Sequence, residues 1–127
     1  MNRGEIWTVA GGIYAGKSRP AVIVQDDLFD ATGSVTVAPM TSTLLDAPLM
    51  RIRITGGQGR LSGLDHDSDV MIDQLTTVRR SNVHVRVGRL TAEQVVEVER
   101  AMMAFLGLAL SVPGLFVMLE ETVGQHC

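Results

Sequence analysis

The chain has 127 residues, 46% hydrophobic and only 4% aromatic, with a net charge of −3. That length suits a single domain with a substantial core. The negative total excludes a protein that holds nucleic acid by bulk positive charge alone. Cys127 is the sole cysteine, so no disulfide can form within the chain, which fits a reducing compartment. The N-terminus MNRGEIWTV lacks the apolar stretch of a secretory signal, and a cytoplasmic location is expected.

Strand signals dominate the first ninety residues. Glu5 to Val9 (EIWTV) reads as a strand, and Ala10 to Lys17 as a Gly-rich loop offering Tyr14 and Lys17 to a ligand. Pro20 to Gln25 contains the unbroken run Ala21-Val22-Ile23-Val24, as expected of a strand covered on both faces. Asp26 to Gly33 is a polar connection with room for one helical turn. Ser34 to Ser42 (SVTVAPMTS) is a strand. Arg51 to Ile54 (RIRI) alternates, leaving one face wet. Gly56, Gly57 and Gly59 mark turns. Asp69 to Gln74 (DVMIDQ) and His84 to Arg89 (HVRVGR) are further strands.

A long helix is expected from Thr91. Thr91 and Gln94 have the spacing of a capping box. Val95, Val98, Met102 and Phe105 recur at steps of three and four, one face of a helix, and Gly107 is a natural stop. Residues 101–119 carry no charge over 19 positions, close to the length of a membrane span. Pro113-Gly114 interrupts that run, so a core helix followed by an apolar tail is expected instead. The whole describes a mainly β chain with a C-terminal α-helix: a small, strongly bent antiparallel sheet closed by the helix.

Several polar residues are not explained by folding. Arg19 stands at the lip of the buried strand, although arginine is almost never buried without a partner. Thr41-Ser42 closes another strand, and Asp73-Gln74 a third. Gathered on one rim, such groups form a phosphate-handling site: a planar guanidinium fork and short hydroxyl donors.

The same residues carry a resemblance. The blocks Arg3-Gly4-Glu5-Ile6-Trp7, Arg19 to Val24, Val37 to Ser42, Asp73 to Val78 and Val87 to Leu90, with the helix through Leu108, resemble the MazF/PemK family of toxin endoribonucleases, in order. The resemblance implies an SH3-like barrel of the CcdB/PemK/MazF type over residues 1–109, with 110–127 an apolar tail of no assigned role. It implies cleavage of single-stranded RNA without metal or other cofactor. The 2′-hydroxyl attacks the phosphorus, giving a 2′,3′-cyclic phosphate (or its opened 3′-phosphate) and a 5′-hydroxyl. Arg19 would contact the scissile phosphate and protonate the leaving oxygen, and the Thr41 hydroxyl would hold that phosphate. Ser42, Asp73 and Gln74 match positions that bind RNA or support the site. The resemblance also implies a homodimer, with no membrane, silenced by a cognate antitoxin whose disordered C-terminal segment folds onto it.

The general base is left open, with Asp73 the candidate by chemistry. Some family members carry an arginine two positions before this aspartate, where this chain has Met71. His66, in LDHDSD with Asp65, Asp67 and Asp69, reads as part of a solvated loop rather than a metal site. His84 reads as a surface neighbour and His126 belongs to the tail, so no paired-histidine mechanism is expected. Seven arginines against four aspartates between Arg51 and Arg89 predict a locally positive groove. Two alternatives stand beside the nuclease: a CcdB-like toxin that binds gyrase, and a non-catalytic barrel that binds RNA or protein. Arg19 with Thr41-Ser42 favours the nuclease, because gyrase binding needs no phosphate site.

Overall fold

The structure is a computed structural model describing residues 1–10 and 17–108. Seven strands precede one helix: β1 (Glu5–Val9), β2 (Arg19–Ile23), β3 (Ser34–Thr41), β4 (Arg51–Ile54), β5 (Ser68–Met71), β6 (Thr76–Arg79), β7 (Val83–Arg89) and α1 (Ala92–Phe105). They form one antiparallel sheet in the order β4-β5-β3-β2-β1-β7, with β6 also on β3. The eight-residue β3 is the spine. Its Val37 to Pro39 pair with β2, its first half pairs with β6, and Met40 and Thr41 pair with β5. Among the described residues, no ladder joins β4 to β7, so the expected barrel is a strongly bent sheet that hydrogen bonds do not close.

The unbroken apolar run of β2 has a direct structural explanation. Its side chains alternate between two separate cores. Val22 and Val24 join Ile6, Ala38, Met40, Ile54, Val70, Ile72 and the helix residues Val98 and Ala101. Ala21 and Ile23 join Val9, Val35, Val37, Val78 and Val83, with Trp7 packed alongside. Both faces of β2 are covered, and this makes it a firm mount for whatever stands at its end.

Thr91 caps α1 as the sequence predicts. Its Oγ1 accepts from the Gln94 N–H (3.1 Å), and Gln94 Oε1 accepts from the Thr91 N–H (2.8 Å). Val98 and Ala101 reach the core with Val95 and Met102 packed against it, so the expected stripe fails only at Phe105, which is 47% exposed. Arg3 ties the N-terminus to the helix, donating to Glu99 Oε2 (2.7 Å) and to the Val24 carbonyl (2.9 Å).

Two strand expectations are corrected. The strand predicted over Asp69 to Gln74 ends at Met71, and Ile72–Gln74 turn into a 3-10 helix. There the Ile72 N–H bonds to the Met50 carbonyl. Thr76–Arg79 is a strand the sequence did not announce. Tyr14 and the tail from 109 onward lie outside the described residues. Among the described residues, no helix is long and apolar enough to cross a membrane.

Candidate active site

Three of the predicted residues meet. Arg19 and Pro20 from the start of β2, Thr41 from the end of β3 and Ser42 just beyond it line one cavity of about 280 Å³. Thr8 of β1, Met40 of β3, Ser68 of β5, Val87 of β7 and the loop Gly63-Leu64-Asp65-His66 also line it. Strand order explains the meeting. β2 and β3 are antiparallel neighbours, and β5 pairs with the end of β3, with Thr41 opposite Asp69.

Arg19 is exposed, and among the described residues its guanidinium has no hydrogen bond or ion pair. A free fork of N–H donors at a cavity wall is ready for an oxyanion. The Thr41 hydroxyl accepts from the Thr43 N–H at 3.1 Å, which turns its own O–H away from that bond and leaves it free to donate.

Asp69 fixes the surroundings. Its carboxylate is 1% exposed and accepts from Arg53 Nε (2.7 Å) and from the Leu45 N–H (2.8 Å), holding the loop that follows Thr41 and Ser42. Burial acts to raise this carboxyl, but the Arg53 and Leu45 bonds outweigh it and hold it below the usual carboxylate range. A folded-state value below the unfolded one stabilises the protein above the ordinary aspartate value. That stabilisation is lost as pH falls through the lowered folded value. Asp69→Asn is therefore expected to cost about 1.5–3 kcal/mol at neutral pH, the range for hydrogen bonds to a charged group. In thermal melts, the gap between variant and wild type should narrow as pH drops below about 4.

The other predicted residues stand apart from the cavity wall. Lys17 is exposed just ahead of β2, and Gln74 is exposed on the 3-10 turn. Asp73 is gripped by Arg51, whose Nε and Nη2 lie 3.0 and 3.3 Å from its two oxygens. Burial pushes its carboxyl up, yet the Arg51 bonds and charge bring it below the usual range. A clamped carboxylate of lowered basicity is a poor proton acceptor, which weakens the case for Asp73 as general base. Arg51 lies opposite Met71 in the β4–β5 ladder, so a cation reaches Asp73 from β4 although position 71 supplies none.

The expected positive groove is largely neutralised. Arg51, Arg53, Arg80 and Arg86 each meet a carboxylate, four of the seven. The LDHDSD segment divides its labour too. Asp69 holds Arg53, Asp67 Oδ1 accepts from the Gly56 N–H (2.9 Å), and Asp65 and His66 face the cavity. His66 lies exposed in a loop, as expected, and that loop lines the same cavity as Arg19, which the sequence reading did not anticipate. No spacing in the sequence reveals it, because the approach depends on how residues 55–68 fold back.

The family described as PemK-like, MazF-like toxin of type II toxin-antitoxin system matches residues 2–106. The chain belongs to that family. Among curated PemK/MazF relatives, a probable endoribonuclease MazF of Mycolicibacterium smegmatis is 52% identical over 110 residues, 86% of this chain and 99% of the relative. Solved MazF structures share the fold. The Mycobacterium tuberculosis toxin MazF-mt6 superposes with a TM-score of 0.65 at 23% identity, over 78% of this chain and 92% of that one. An endoribonuclease from a mycobacterial species, solved with its cognate antitoxin, gives 0.67 at 19% identity, over 85% and 96%.

Proposed function

We propose that this PemK/MazF-family chain is a metal-independent endoribonuclease toxin that cuts single-stranded RNA at the Arg19–Thr41 cavity. The observation that carries the reading is the meeting in one cavity of a guanidinium that has no partner among the described residues and an oriented hydroxyl. The attack of a 2′-hydroxyl on phosphorus places extra charge on the phosphorane oxygens. Donors already aimed at that point lower the barrier because they need not reorganise. Arg19 supplies the charged donor and Thr41 a neutral one, with Ser42 beside them. Lys17, Asp73 and Gln74 extend the RNA path beyond the cavity, and Tyr14 is a further RNA contact. The toxin domain runs over residues 1–109, the protein works in the cytoplasm, and residues 110–127 are a tail.

The naming of a cognate antitoxin with one structural relative supports a silencing partner here as well. Its disordered C-terminal segment would cover the cavity. Exposed Phe105, Leu106 and Leu108 at the end of α1 give two copies of the chain an apolar surface to share.

The test is an end-mapping experiment on mixed single-stranded RNA in EDTA. Products with 5′-hydroxyl and 2′,3′-cyclic phosphate (or 3′-phosphate) ends are expected. Intact RNA, with or without added magnesium, removes the reading.

A further inference from the structure

Resting on that reading, we infer that His66 is the general base of the cleavage, taking the proton from the attacking 2′-hydroxyl. His66 shares the cavity wall with Arg19, Thr41 and Ser42. Its ring is exposed, and among the described residues no hydrogen bond or ion pair engages it.

Its backbone is firmly held. Ser68 Oγ donates to the His66 carbonyl (3.2 Å), the Gly56 N–H to Asp67 (2.9 Å), and the Gly57 N–H to the Leu64 carbonyl (2.8 Å). Gly56 packs so closely that a Cβ there would overlap the His66 backbone. A free imidazole on a fixed mount suits proton transfer, which needs a group placed within hydrogen-bond reach of the substrate.

The other titratable groups support the choice. Among the described residues, those lining the cavity are Arg19 from β2 and Asp65 beside His66; β1, β3, β5 and β7 contribute none, and Asp67 is turned to the Gly56 N–H. Arginine rests protonated and so has no lone pair with which to take the proton. Asp73 is clamped by Arg51. Imidazole is the side chain whose ordinary titration falls near neutral pH, so in neutral form it is a far stronger base than a carboxylate.

The step balances. The 2′-oxygen–phosphorus bond forms as its proton passes to the imidazole nitrogen. The bond from phosphorus to the 5′-oxygen breaks. The departing oxygen takes a proton from the Arg19 guanidinium, which solvent restores, and the imidazolium releases its proton to water.

The experiment compares wild type, His66→Gln and His66→Ala under single turnover in EDTA, on an RNA the wild type cuts. Binding is measured in parallel on that RNA with 2′-O-methyl at the cut site. His66→Gln should cut roughly a hundredfold to ten-thousandfold more slowly, the usual range for a lost acid or base. Binding should be unchanged, the rise of rate with pH through the imidazole range should vanish, and added imidazole should partly restore His66→Ala. Cleavage by His66→Gln within about threefold of wild type, with the same pH profile, overturns the assignment. So does a loss explained wholly by weaker binding. A wild type that cuts no RNA removes the nuclease reading itself, a different failure from a wild type and His66→Gln that cut equally.

Discussion

Arg19→Ala is expected to slow RNA cleavage by roughly a hundredfold to a thousandfold, the cost of removing one preorganised donor from a developing oxyanion. The fold should not notice. Arg19 is exposed at the first position of β2, and among the described residues its side chain holds nothing else in place. Urea midpoints of variant and wild type should therefore coincide, while product formation falls. Arg19→Lys should recover only part of the rate, because an ammonium keeps the charge but loses the planar fork that matches two phosphate oxygens. Full activity in Arg19→Ala would move the chemistry away from this cavity.

Gly63→Ala is expected to cost about 2–5 kcal/mol, combining left-handed backbone strain of roughly 1–2 kcal/mol with overpacking of roughly 1–3. Gly63 has φ +70°, and a Cβ on it would overlap the Val87 carbonyl of β7. The loop carrying Asp65 and His66 would have to lift away from the sheet, so cleavage should fall along with stability. Gly59→Ala is the matched control. Its φ is +80°, yet nothing lies within 4 Å of the added carbon. Strain alone then remains, about 1–2 kcal/mol. Equal urea midpoints for the two variants would show that the close approach to Val87 is not a constraint.

The fold was legible where apolar residues repeat. The run Ala21 to Val24 announced a strand between two cores, and Thr91 with Gln94 announced the helix start. Strand β6 was missed because Thr76–Arg79 buries only Val78, too little for a periodic signal. At the site, Arg19, Thr41 and Ser42 were legible as polar groups ending core strands, and strand pairing brings such ends together. Asp73 and Gln74 looked equivalent, but the 3-10 turn after Met71 takes them off the strand line, where Arg51 captures the carboxylate. His66 was hidden for a different reason. Its place depends on close backbone packing at Gly56 and Gly63, which no alternation or spacing encodes.

The open sheet exposes this protein to self-association. Among the described residues, β4 and β7 stand at the two ends of the strand order, each laddered to one neighbouring strand, although the Arg89 N–H of β7 also bonds to the Leu61 carbonyl. An unpaired strand edge is a template on which another chain can add hydrogen bonds. β4 carries arginines at alternate positions, Arg51 and Arg53, and β7 carries Arg86 with Arg89 at its end. A second strand arriving in either orientation must desolvate those guanidiniums or set two rows of them side by side. The ion pairs to Asp73, Asp69 and Glu5 hold three of these arginines in place, so they guard the edges as well as stabilise the fold. Charge that looked like a nucleic-acid groove in the sequence is thus held largely in ion pairs along the terminal strands. Replacing Arg51 and Arg53 with valine would leave the β propensity of β4 intact and open its edge to fibrous growth.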